Sequence, residues 1–309
     1  MHSLDLLGSI LSVVALSCLV AGIIQAPTWG WTDVRTLALF LVGALAGLLF
    51  VRRAMTAESG IVHFSVFKSR HFSLSSLAMG AIYLGIFGFL FLMTQFLQLY
   101  LGYSPLRAGV SFLPAAVAVV IGTGIARALA PRVALAAGLV LLVGAVGQEL
   151  FFTAATKYPG VVGILVTGGL SMGMVLTVGT DEVMGSLAPR ETGIGAAINV
   201  AAMEIGGALG VALFGSVFNS EYARQLKPAT AVLPAAVRDL AQGSVTAGLA
   251  IAQRLAGALG ALLVVCVRSG FMHGFALAGW IGVAAAAAAA LCVAAFMPNR
   301  SVAMVGEAE

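Results

Sequence analysis

"TGIGAAINVAAMEIGGALGVALFGSVF" (residues 192–218) decides the fold class. Its only charged residue is Glu204, and no basic residue lies within ten positions of that acid on either side. Crossing a bilayer core takes about 20 apolar residues in helical form. A stretch this long with no polar face suits lipid rather than water. The whole chain has the same character. Of its 309 residues 61% are hydrophobic and 9% charged, and the mean hydropathy is +1.06. A soluble domain carries about 25% charged residues. The apolar runs are long and continuous instead of short and alternating, so helices are implied and not a barrel. The net charge of +4 is spread over scattered Lys and Arg. With no basic stripe and no interleaved aromatics, nucleic-acid binding is not expected. Cys18, Cys266 and Cys292 are isolated and read as small apolar residues.

Turn chemistry and charge divide the chain into eight predicted spans, at roughly 4–25, 34–54, 72–100, 107–129, 133–156, 161–184, 192–218 and 271–297. The first has no basic leader and no small-residue cleavage site, so it reads as a membrane helix and not a signal peptide. "APTWGW" (26–31) suits an interfacial turn, and "GYSP" (102–105) a tight one. Residues 245–267 also pass a hydropathy window. Gln253 and Arg254 near the middle, and Arg268 just beyond, favour an amphipathic or re-entrant helix inside a long outer loop, 219–270. With residue 1 inside, the inner loops hold Arg52, Arg53, Lys68, Arg70, Arg127, Arg132, Arg190 and Arg300, and the short outer loops only Arg35, Arg107 and Lys157. The positive-inside rule then places both termini in the cytoplasm of a multi-pass cell-membrane protein.

"FLQLYLGYSPLRAGVSFLP" (96–114) is more specific than hydropathy. Its Leu97-Gln98 pair, Gly102-Tyr103-Ser104-Pro105 turn, Ala108-Gly109 and Leu113-Pro114 resemble the start of the C-terminal six-helix half of the fourteen-helix drug:proton antiporters of the major facilitator superfamily (EmrB/QacA type). "APRETGIGAAINVAAMEIGGALGVALFGSVFNS" (188–220) is similar to the penultimate helix of that family, and "FMHGFALAGW" (271–280) to the start of its last helix. The opening "LDLLGSILSVVALSCLVAGIIQAPTWGW" resembles the first of two helices that join the halves. The likeness covers essentially the whole chain. The six helices that precede this start in the family are absent from residues 1–309. "ARALAPRVALAAG" (126–138) also departs from the family's longer basic loop with an acid.

Glu204 lies about 18 Å along its helix from position 192, at 1.5 Å per residue. An ionised carboxylate at that depth costs at least about 2.5–3.5 kcal/mol. The group must either stay neutral or face a water-filled cavity, and both suit a proton-coupled carrier. A lipophilic cation would compete for the same carboxylate. The resemblance implies that an acid just before the Ile205-Gly206 step takes part in cation recognition and proton coupling. It also implies an acid near Asp181, at the inner end of its helix; Glu182 points about 100° away and reads as interfacial. Glu149, beside Gln148, is a further candidate for the proton or substrate path, read from the residues alone. Gln95 and Gln98 share a helix face at three-residue spacing and suit either a polar cavity lining or helix–helix hydrogen bonding. Asn199 shares the Glu204 helix about 140° around it, and Tyr83 is a weaker lining candidate. Gly206 and Gly210 form a GxxxG step, read as close helix packing.

No metal spacing links His2, His63, His71 and His273, and "GTG" (122–124) has neither the strand nor the Gly-Lys-Ser/Thr of a phosphate loop. "NRS" (299–301) matches a glycosylation acceptor only formally, on a cytoplasmic segment. No catalytic triad or HExxH exists, so neither an enzyme nor a cofactor is expected. The expected fold is an all-α membrane protein of about eight spans: two linker helices with a cytoplasmic loop (1–71), then a six-helix transporter half (72–309). The expected function is part of a proton-coupled multidrug exporter of hydrophobic or cationic compounds. Its partners would be the lipid bilayer, protons, such small molecules and a complementary N-terminal half. The alternative is a truncated or mis-started membrane protein that acts only as a partner subunit.

Overall fold

The computed structural model describes residues 6–56, 70–153, 155–185, 192–255 and 257–296. Lys68, Arg190 and Arg300, counted above toward the inner side, lie outside these residues, as do His2, His63 and residues 299–301. Among the described residues the fold is all helix. Helices α1 (Leu6–Trp29) and α2 (Val34–Thr56) form an antiparallel hairpin. Then follow α3 (Arg70–Gln95), which ends in a π-helical turn over Phe96–Tyr100, α4 (Pro105–Ser111), α5 (Leu113–Ala128), α6 (Pro131–Glu149) and α7 (Tyr158–Gly185). The chain closes with α8 (Thr192–Thr230), α9 (Ala235–Gly243), α10 (Val245–Arg254) and α11 (Gly257–Phe296). Among the described residues eight stretches are long and apolar enough to cross a membrane, with α4 and α5 together making one.

Local chemistry explains the breaks. At "GYSP", Gly102 takes a left-handed φ of 70°, Ser104 accepts the Arg107 backbone N–H at 3.3 Å as an N-cap, and Pro105 opens α4. The Arg107 guanidinium lies 3.8 Å above the Tyr103 ring. Two expectations are corrected. The segment 219–270 is helical and not an open loop: α8 runs on to Thr230, and α9, α10 and the start of α11 fill the rest. The segment 245–267 is not one amphipathic or re-entrant helix either. Leu255 is extended and Gly257 has φ +72°, so the helix stops after Arg254 and a new one starts at Gly257. The last helix therefore begins at Gly257, well before 271, and the helix of the fifth span ends at Glu149 and not at 156.

Helices α8 and α11 have 39 and 40 residues, so each is about 60 Å long at 1.5 Å per residue. A bilayer core is about 30 Å thick, so both overrun it at the end that carries α9 and α10, here termed the cap end. Tyr222 fastens the cap. It is fully buried, and its hydroxyl donates to the Ala241 carbonyl at 3.1 Å and to that of Ser244 at 3.4 Å. Gln242 donates to Thr230 at 2.7 Å beside it. Tyr222→Phe keeps the ring and leaves these carbonyls short of a donor, at a cost of about 1 kcal/mol. Hydrogen exchange at residues 235–254 is expected to speed up several-fold while α5 and α7 keep their rates. Unchanged exchange over 235–254 would show that the hydroxyl is not a fastener.

The six spans from α3 onward pack in a repeated pattern. α3 packs chiefly on α8, and α5 on α7; α6 rests on α7 as α11 rests on α3; α6 and α11 also meet. Exchanging the triplet α3, α5, α6 for α7, α8, α11 preserves these neighbours, while the large α8–α11 contact has only a slight counterpart between α5 and α6. Each triplet has an odd number of spans, so the two copies run in opposite directions through the membrane, as in an inverted repeat. The same device closes the two tightest contacts. A Cβ added at Gly206 or Gly210 would collide with the backbone of Gly80 or Leu84 on α3, and one at Gly169 or Gly173 with that of Ala115 or Val119 on α5. Both pairs are parallel, and in both the approach is backbone to backbone.

Candidate functional site

Glu204 is exposed on α8. The positions whose backbone approaches that of α3 are Ala202, Gly206 and Gly210. Glu204 is two residues from each of the first two, about 200° around the helix, so it points away from that contact. The glycine stripe therefore fixes which way the acid faces. Glu204 is close enough to Tyr83 on α3 for its charge to act on the tyrosine hydroxyl. The Tyr83 ring stacks on Phe87 at 5.9 Å, and Phe87 covers Gly207 one turn beyond Glu204. Carboxylate, phenol and aromatic rings thus lie in one region of the α3–α8 pair. That surface can pair with a cation or carry a proton, and the rings offer an apolar and cation–π wall.

The other candidates separate. Asn199 is 3% exposed; its amide lies 3.4 Å from the Met203 sulfur, and its Oδ1 has no hydrogen-bond partner among the described residues. It does not pair with Glu204. Asp181 is exposed in the last turns of α7, at the end opposite the cap. Glu149 is 1% exposed at the cap end of α6, and its carboxyl lies against Gly279 of α11. Gln95 and Gln98 are both half-buried, but the π turn begins between them. Its i→i+5 bonds, Leu101 N–H to Phe96 O at 2.9 Å among them, widen the turn and rotate Gln98 away from the face it would share with Gln95 in an α-helix.

The structure adds groups that the sequence did not single out. Phe96, Tyr100, Phe152, Phe218, Phe271 and Phe275 form one aromatic cluster at the cap end, with ring separations of 4.7–6.3 Å. Beside it a cavity of about 400 Å³ is lined by Tyr100, Phe152, Thr153, Arg268 and Met272 among others. These rings come from four separate stretches, so no local motif announces them. Between α5 and α7, Thr177 donates to the Gly173 carbonyl at 2.7 Å and lies 3.3 Å from the Thr123 hydroxyl. Among the described residues no group of three His, Cys, Asp or Glu is placed to hold a metal ion.

No family model matches the chain. It is 31% identical over 302 residues to a tetracenomycin C resistance and export protein of Streptomyces glaucescens, covering 93% of this chain and 56% of that protein. It is 30% identical over 243 residues to the multidrug efflux pump LfrA of Mycolicibacterium smegmatis, covering 77% and 48%. An MFS-type transporter of Mycobacterium tuberculosis, EfpA, is 32% identical over 227 residues. The fold resembles the crystal structure of a bacterial homologue of the human lysosomal transporter Spinster, in an inward-facing and unoccupied conformation. The TM-score is 0.53 at 19% identity, over 95% of this chain and 65% of that one. Relatives and fold agree: the chain is a multi-pass membrane protein similar along most of its length to MFS-type drug and antibiotic exporters, and it spans about half the length of those relatives.

Proposed function

We propose that residues 1–309 are the C-terminal portion of a proton-coupled exporter of hydrophobic or cationic compounds, of the fourteen-helix antiporter kind. Residues 1–71 would hold the two linker helices and 72–309 one transporter half, with both termini in the cytoplasm and the cap outside. The observation that carries this reading is Glu204: an acid at membrane depth, held on an exposed face by a glycine stripe, beside Tyr83 and Phe87. A proton and a lipophilic cation exchanging at that carboxylate would couple proton entry to drug exit. Asp181, near the opposite end of the bundle, is the candidate relay to the cytoplasm.

The facing wall of such a path comes from a complementary six-helix half, on the same or a second polypeptide. The chain spans only about half the length of these relatives, in keeping with that requirement. Residues 1–309 expressed alone in drug-sensitive cells are expected to insert but to give no proton-linked efflux. Co-expression with a complementary half restores it. Efflux by residues 1–309 with no partner would overturn the requirement for a second half. No restoration by any complementary half would favour the other reading, a partner subunit without transport of its own.

A further inference from the structure

We propose that Glu149 is a proton-binding site of its own, set apart from the Glu204 face, in the contact between α6 and α11. It is the last residue of α6 and is 1% exposed, and neither carboxyl oxygen has a hydrogen-bond partner among the described residues. Its neighbour in sequence turns the other way. The Gln148 amide donates to the Gly144 carbonyl at 3.1 Å and faces Thr167 of α7 at 3.5 Å. Glu149 faces α11, where Gly279 leaves room for it. A Cβ at 279 would sit 3.6 Å from Glu149 Oε2 and 3.2 Å from the Leu150 side chain that closes the other side. The site is thus a closed apolar slot with one acid in it.

Among the described residues, the elements packed on α6 bring no counter-charge to this slot, and Lys157, in the loop from α6 to α7, is exposed. On α11 the nearest titratable groups on the cap side are His273 and Arg268. His273 is exposed and engaged with the Ser269 carbonyl at 2.9 Å, and Arg268 is exposed 11 positions from Gly279. From Gly274 to Phe296 that helix carries no acid or base, and Cys292 is the one thiol in that stretch. On α7, Tyr158 donates to the Ser111 carbonyl at 3.0 Å, and Asp181 lies at the far end. Arg127 of α5 and Arg132 of α6 are also at the far end. An ionised carboxylate with neither donor nor cation in reach costs several kcal/mol to bury, whereas the acid form carries no charge to desolvate. The slot therefore holds Glu149 with its proton. The proton can leave only where water enters the slot between α6 and α11.

The test uses the full chain in lipid nanodiscs and needs no transport, so it stands apart from the export reading. Infrared spectra of wild type and Glu149→Gln are compared at neutral pH, with folding checked by circular dichroism. The expected result is a carboxylic-acid carbonyl band in the wild type that the variant lacks. Spectra identical in that region would overturn the proposal. If the variant fails to fold, the wild type is treated with the apolar reagent dicyclohexylcarbodiimide, or with a water-soluble carbodiimide and an amine, and mapped by mass spectrometry. Modification of Glu149 by the apolar reagent alone supports the site. Modification by the water-soluble reagent, or by neither, overturns it.

Discussion

Replacing Gly206 with leucine is expected to separate α3 from α8 and leave a protein that barely survives extraction from the membrane. The space a side chain needs at 206 is occupied by the Gly80 backbone, and backbone cannot swing aside as a flexible side chain can. Overpacking a well-filled contact costs about 1–3 kcal/mol, occasionally more. Here the larger figure applies, because a whole helix must move. Gly210 meets Leu84 in the same way, so Gly210→Leu should act alike. Gly144 is the control: it is exposed on α6, with nothing within 4 Å of an added Cβ, and Gly144→Ala should be neutral or slightly stabilising. Thermal unfolding in detergent reads all three. If Gly206→Leu melts with the wild type, the α3–α8 approach is not as close as described.

The second large effect is functional and falls on Glu204. In the complete exporter, Glu204→Gln is expected to leave insertion and melting unchanged. The residue is exposed, and the close backbone approach to α3 is made at Gly206 and Gly210, so removing its charge leaves that contact in place. Proton-driven uptake of a lipophilic cation into inverted vesicles should fall at least about tenfold, equivalent to about 1.4 kcal/mol of barrier. Glu204→Asp keeps the charge one methylene shorter and should recover part of the rate. Tyr83→Phe should weaken transport less, since it removes only the neighbouring hydroxyl. Full uptake by the Gln variant at several imposed pH gradients would remove Glu204 from the proton path.

Much of this architecture is written plainly in the chain. Eight apolar stretches announce eight spans, because lipid demands a long run whatever lies beside it. The Gly206–Gly210 step gives away a close approach, because small residues four apart can serve little else on an apolar helix. Where a helix stops is harder to read. Asn219 to Lys227 are polar enough to suggest a loop, yet they stay helical. Glu221 pairs with Arg224 at 2.7 Å and accepts from Gln225 at 2.6 Å, at three- and four-residue spacings along α8. Hydropathy sees the charges and misses their pairing. The orientation of Glu149 depends on a glycine 130 positions away, and the aromatic cluster on rings from four stretches; neither follows from local pattern. The π turn was hidden for a related reason. Within it Phe96 and Tyr100 stack among rings from distant stretches, which spacing alone does not encode.

The unbroken length of α8 and α11 has a mechanical consequence. A continuous helix has no joint where it leaves the lipid, so any tilt of its buried part must reappear undiminished above the surface. With about 30 Å of overhang, a tilt of about 10° would carry the cap sideways by roughly 5 Å. The cap thus behaves as the pointer of a gauge whose movement is set deep in the membrane. A pair of spectroscopic labels, one on α9 and one at the start of α7, would read that movement from the water side.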